Sequence, residues 1–104
     1  MAFDAPELET QERTRGEQRT QEPPQYRVLL HNDDYTTMAF VIEILMGVFR
    51  RTLADATRIM LNVHRKGIGV CGTYPYEIAE TKVDTVEMLA RSSGYPLKCS
   101  MEKV

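Results

Sequence analysis

The sequence predicts an α+β domain of order β-α-α-β-α-β, a three-stranded antiparallel sheet with helices packed on one face, preceded by a disordered N-terminal tail. Three observations predict it. Tyr26-Arg27-Val28-Leu29-Leu30 has a strand-like pattern, whereas from Met38 the apolar residues fall at Met38, Val41, Ile42, Leu45, Val48 and Phe49, a helical spacing. Two further helical patterns are each closed by a glycine, Gly67 and Gly94. Between and after them lie short β-like runs, and such an alternation of elements suits a two-layer domain.

Residues 1–24 are rich in Glu, Gln, Thr and Arg and hold few large apolar side chains, so burial cannot offset their ordering entropy. They are expected to form a flexible extension ending at Pro23-Pro24, with residues 25–104 as the folded core. The first helix is expected over Thr37 to Arg50, with Thr36 as an ordinary N-cap. Leu53 to Lys66 reads as the second helix, because Arg65 and Lys66 suit the negative end of its dipole and Gly67 can adopt a left-handed closing conformation. Ile68 to Tyr74 reads as a strand whose glycines point to a bulge or to close approach of another backbone. Pro75 suits the first position of a third helix running to Ser92, with Ala79, Val83, Val86, Leu89 and Ala90 inward. Tyr95 to Met101 alternates as the last strand.

At 104 residues the chain can enclose a small core but no deep enzyme cleft. Its 13 Lys+Arg against 15 Asp+Glu give no electrostatic signature for nucleic acid or anionic lipid. No apolar run has the length of a membrane span, and the N-terminus lacks the layout of a secretion signal, so a cytoplasmic protein is expected. Cys71 and Cys99 have no CxxC spacing and sit in β-like apolar surroundings, which predicts reduced core thiols rather than a disulfide or a metal site.

The most polar stretch, His31-Asn32-Asp33-Asp34-Tyr35-Thr36-Thr37, lies between the first strand and the first helix. Asn and Asp are ordinary turn formers, so a turn with a cap explains it on its own. In the second helix Met60, Val63 and His64 stand at i, i+3 and i+4 and share a face, although a lone histidine near a helix end is more often a capping or solvated residue than a ligand. Asp33, Asp34, His31 and His64 are ligand types for a small metal-dependent hydrolase, but no HExxH-like spacing or nucleophile–base arrangement accompanies them. A general protein-interaction domain of ribosomal or translation-factor type is a further reading, since small α+β folds are reused for many tasks.

The segments HNDDYTTMAFVIEIL, RIMLNVHRKG, VCG, EIAETKV and YPLKC, taken in order, resemble the ClpS family of ATP-dependent Clp protease adaptors over roughly residues 25–104. The resemblance implies the same fold and a non-enzymatic adaptor without cofactor or metal. It would bind N-degron proteins that begin with a hydrophobic destabilising residue (Leu, Phe, Tyr or Trp) and deliver them to a Clp ATPase-protease of ClpA-ClpP type. The resemblance implies that Asn32, Asp33 and His64 bind the free α-amino group, and that Thr36, Met38, Val41, Met60, Val63 and Leu97 form the side-chain pocket. It implies that Glu77 and Lys82 dock the N-terminal domain of the unfoldase, and that the N-terminal extension takes part in substrate hand-over. The chain departs from the commonest family pattern at Thr37, where many relatives carry proline. Losing proline frees φ and adds an N–H at the helix start, which puts in question how firmly Met38 is held.

Overall fold

A computed structural model describes residues 22–104. The expected extension falls on residues 1–24, so its first 21 positions lie outside the described residues, while Glu22, Pro23 and Pro24 are exposed and irregular. The elements follow the order β1 (Gln25–His31), α1 (Met38–Gly47), α2 (Leu53–Lys66), β2 (Ile68–Pro75), α3 (Tyr76–Ser92) and β3 (Lys98–Lys103). The sheet has the order β2-β1-β3, and β1 pairs antiparallel with both neighbours. Val28 and Leu30 of β1, with Cys71 and Cys99 of the outer strands, meet the helices in one core. On β1 the alternate residues Arg27 and His31 turn to the other face, where Arg27 pairs with Glu102 at 3.2 Å and His31 Nε2 lies 2.6 Å from Ser100 Oγ.

Local chemistry sets most boundaries. Thr37 caps α1, its hydroxyl oxygen accepting from the Phe40 N–H at 3.1 Å, so the helix begins at Met38 and Thr36 is left to the preceding turn. The helix also ends earlier than its apolar spacing suggests, at Gly47. Arg50 takes a left-handed φ of 59°, and Arg51 turns inward to donate to Cys71 O from Nε at 3.0 Å and Nη2 at 2.8 Å. Thr52 caps α2 by accepting from the Asp55 N–H, and Gly67 closes it at φ 88°, giving the span Leu53–Lys66. In α3, Ala79, Val86 and Ala90 are buried and Val83 packs against the core, but Leu89 is 38% exposed and faces a groove. The last strand begins at Lys98 rather than Tyr95, because Tyr95 is bound up in the closure of α3 and Pro96 has no N–H to give to a ladder.

The glycines of β2 do what their positions suggested. The register slips between Val28 and Leu29, so that Cys71 is the extra residue of a bulge and both Cys71 and Gly72 are buried. Gly69 lies directly under α2, where a Cβ would stand 2.6 Å from Val63 Cγ2. Both cysteines are free and buried. Burial pushes the Cys71 thiol far above its ordinary range, while burial and then the Glu87 carboxylate push Cys99 up to about 12. Neither is a thiolate at neutral pH, and both act as small apolar core residues.

Substituting Gly69→Ala is expected to lower stability to urea by about 1–3 kcal/mol, because Val63 or the helix must shift. Gly47→Ala, where a Cβ meets nothing within 4 Å, is expected to lower it not at all. Equal urea midpoints for wild type and Gly69→Ala would contradict this packing.

Candidate functional site

Where β1 ends, the Asn32 N–H donates to Gly67 O at 2.9 Å, tying the turn to the closing residue of α2. This bond brings two segments together that the sequence separates by a whole helical hairpin. Between them lies a cavity of about 260 Å³. Asn32, Asp33, Asp34 and Thr36 line it from the turn, Met38 and Val41 from α1, and Met60, Val63 and His64 from α2. That volume falls short of the ~300–1,000 Å³ usual for drug-sized ligands and suits one side chain with its adjoining backbone.

The walls differ in character. Val41, Met60 and Val63 are buried and present apolar surface, while Met38, the first residue of α1, is 47% exposed at the mouth. At the polar end Asp33 organises its own turn. Its Oδ1 accepts from the Tyr35 N–H at 2.8 Å and the Thr36 N–H at 2.7 Å, and its Oδ2 accepts from the Thr36 hydroxyl at 2.7 Å. Partial burial works to raise the Asp33 pKa, but the Thr36 hydroxyl and the Thr36 and Tyr35 N–H donors outweigh it and hold the carboxyl below the ordinary value. Asp33 is therefore an anion at neutral pH with acceptor capacity left on Oδ2. The side chains of Asn32 and His64 make no hydrogen bond among the described residues, so an amide and an imidazole stand uncommitted at the same rim.

The cavity thus combines eight of the nine residues expected for amine and side-chain binding. Leu97 is not among the residues that line it; 5% exposed, it packs from the segment before β3 into the same core cluster as Val41, Met60 and Val63. Asp34 lines the cavity although the resemblance gave it no role, and only its place beside Asp33 in the turn could have pointed to it. His31 is also apart, since strand alternation turns it to the other face of the sheet beside Ser100. Among the described residues no group of three His, Cys, Asp or Glu side chains is placed to hold a metal ion.

A second and larger hollow, about 840 Å³, runs between α1 and α3. Glu43, Ile44, Gly47 and Val48 form one bank, and Glu77, Ile78, Thr81 and Lys82 lie on the other. The residues expected to dock an unfoldase therefore line this groove and not the smaller cavity. Lys82 is half-buried there: its Nζ donates to Val48 O at 2.8 Å and stands 5.9 and 5.4 Å from the ring centroids of Phe49 and Tyr74. Glu77, by contrast, is exposed in the first turn of α3.

Comparison with known proteins gives a single answer. The family model described as "ATP-dependent Clp protease adaptor protein ClpS" matches residues 21–100. The ATP-dependent Clp protease adapter protein ClpS of Lawsonia intracellularis is 57% identical over 100 residues, covering 96% of this chain and 86% of that protein. Its counterpart from Desulforapulum autotrophicum is 52% identical over 103 residues, 99% of each chain. Among solved structures, Agrobacterium tumefaciens ClpS2 bound to L-phenylalaninamide matches with a TM-score of 0.77 and 37% identity, over 80% of this chain and 100% of that one. The chain belongs to the ClpS family of ATP-dependent Clp protease adaptor proteins.

Proposed function

We propose that the smaller cavity holds the start of a protein chain, its free α-amino group and its first side chain together, and that the protein delivers such substrates to a Clp protease through a ClpA-type unfoldase. The observation that carries this reading is the meeting of a carboxylate and two uncommitted polar side chains with an apolar wall in one notch sized for a single residue. The solved relative, a ClpS2 bound to L-phenylalaninamide, supports it: that ligand has a free amine, an aromatic side chain and an amide in place of the continuing chain.

An α-ammonium has three donors in a tetrahedral fan and is mostly charged at neutral pH. Asp33 supplies the anion, Asn32 a carbonyl oxygen and His64 a ring nitrogen, so the cavity offers one acceptor for each donor. Charge-assisted bonds of this kind contribute about 1.5–3 kcal/mol each. Burying a Leu- or Phe-sized side chain against Met38, Val41, Met60 and Val63 adds about 1.5–3 kcal/mol, and the total, less association entropy, corresponds to a roughly micromolar Kd. Methionine walls adapt their shape, which suits Leu, Phe, Tyr and Trp alike. No step requires a metal, a cofactor or a covalent intermediate, and the role is that of a non-enzymatic adaptor.

The groove between α1 and α3 is the proposed docking face for the N-terminal domain of the unfoldase, with exposed Glu77 as the charged contact. Lys82 serves it chiefly by holding the end of α1 against α3 through Val48 O. Residues 1–24 are proposed as an extension to the folded core 25–104 that assists hand-over. A cytoplasmic location fits such a partner, and no described helix is long and apolar enough to cross a membrane.

Fluorescence anisotropy tests the capture. A Leu-first peptide is expected to bind at roughly micromolar concentration. Its acetylated copy and the His64→Ala variant should each bind at least about tenfold more weakly, the value of one charge-assisted bond. An Ala-first copy should also bind weakly for want of apolar contact. Equal binding of free and acetylated peptides would refute the reading.

The charge state of Asp33 gives a pH test. Its lowered native pKa means that its contribution to folding is complete above the unfolded value of 3.8 and is lost as pH falls through the lower native one. A carboxyl ¹³C NMR titration should place its midpoint below 3.8, and Thr36→Val, which removes the hydroxyl donor, should raise it. For the groove, Glu77→Lys is expected to weaken association with the unfoldase domain roughly threefold at low salt while leaving peptide capture intact. Unchanged association by surface plasmon resonance would remove Glu77 from the interface.

A further inference from the structure

We infer that Tyr95 is a positioning residue for substrate selection: from outside the cavity it holds the first turn of α1, and so sets how closely Met38 crowds the carbon next to a bound chain's amine. This rests on the proposed role of the cavity and adds to it a residue that touches no ligand.

The route runs through three contacts. Helix α3 closes on Gly94 at φ 81°, with the Gly94 N–H donating to Arg91 O at 3.1 Å and the Tyr95 N–H donating to Ala90 O at 2.9 Å. This closure fixes the Tyr95 backbone to α3. Its ring then meets Phe40, centroid to centroid 4.8 Å, and its hydroxyl lies 3.5 Å from Thr37 Oγ1. Such a hydroxyl separation is long, so the ring contact supplies most of the hold. Thr37 and Phe40 are themselves joined by the cap, Thr37 Oγ1 accepting from the Phe40 N–H at 3.1 Å.

Met38 lies inside that clamp in sequence, immediately after Thr37 and two residues before Phe40. Among the apolar residues of the cavity lining it is the half-exposed one, whereas Val41, Met60 and Val63 are fixed by burial in the core. The exposed residue of the apolar wall is thus the one whose backbone the clamp holds. A threonine at position 37 supplies no ring to restrict φ, so the stiffness of this turn comes from the cap and the aromatic pair. A well-held Met38 penalises a first residue branched at Cβ more than an unbranched one, because the extra methyl sits beside the main chain.

The test compares wild type, Tyr95→Phe and Tyr95→Ala by two measurements. Hydrogen exchange at the Phe40 amide should quicken and the Met38 methyl resonance should shift in Tyr95→Ala, while Tyr95→Phe stays close to wild type. In anisotropy, the ratio of Ile-first to Leu-first peptide affinity should rise about three- to tenfold in Tyr95→Ala, with Tyr95→Phe restoring most of the discrimination. Loss of affinity for both peptides in equal proportion, or an unchanged Phe40 amide and Met38 methyl, would overturn the inference. Failure of wild type to tell a free from an acetylated N-terminus would instead refute the role of the cavity, and the exchange and methyl measurements would still decide whether Tyr95 holds the turn.

Discussion

The single hydrogen bond from the Asn32 N–H to Gly67 O is the constraint on which the site depends. It exists because β1 is the central strand and its last residue, His31, pairs with Ile68, which directly follows the glycine closing α2. That glycine can present its carbonyl to the turn because it has the left-handed conformation a side chain would oppose. That backbone bond holds the polar turn beside the His64 face of α2. The Asn32 and His64 side chains take no part in this tie and make no hydrogen bond among the described residues.

Asp33 stands between these two functions. Three donors from its own turn grip the carboxylate, and they both order the loop and keep the group ionised. Helix α1 has a similar double use. Met38 and Val41 face the small cavity, while Glu43, Ile44 and Gly47 face the groove against α3. One ten-residue helix thereby separates a notch sized for a single residue from a surface broad enough for a protein. Lys82 and Arg51 fasten its far end, by bonds to Val48 O and from the following turn to Cys71 O.

Much of this was legible in the sequence where local chemistry is decisive. Gly67 and the basic last turn fix the end of α2 to the residue, and the i, i+3, i+4 spacing of Met60, Val63 and His64 places them on one wall. Adjacent threonines obscured the start of α1, because either can cap, and only the capture of Thr36 by Asp33 leaves the task to Thr37. Leu89 went astray because a side chain's hydrophobicity and period do not tell core from groove, and tertiary packing assigned it to the groove. The Tyr95–Phe40 contact and the inward turn of Lys82 join residues far apart in sequence, so no local pattern announces them.

The central claim is that one notch receives an amine and its side chain together. Its most direct test is NMR titration of the protein with phenylalaninamide and, separately, with N-acetylphenylalaninamide. The account predicts that only the free amine shifts the Asn32, Asp33 and His64 resonances, and that the Met38 and Met60 methyls move with them along one binding curve. Shifts confined to the groove between α1 and α3, or identical shifts with both compounds, would contradict it.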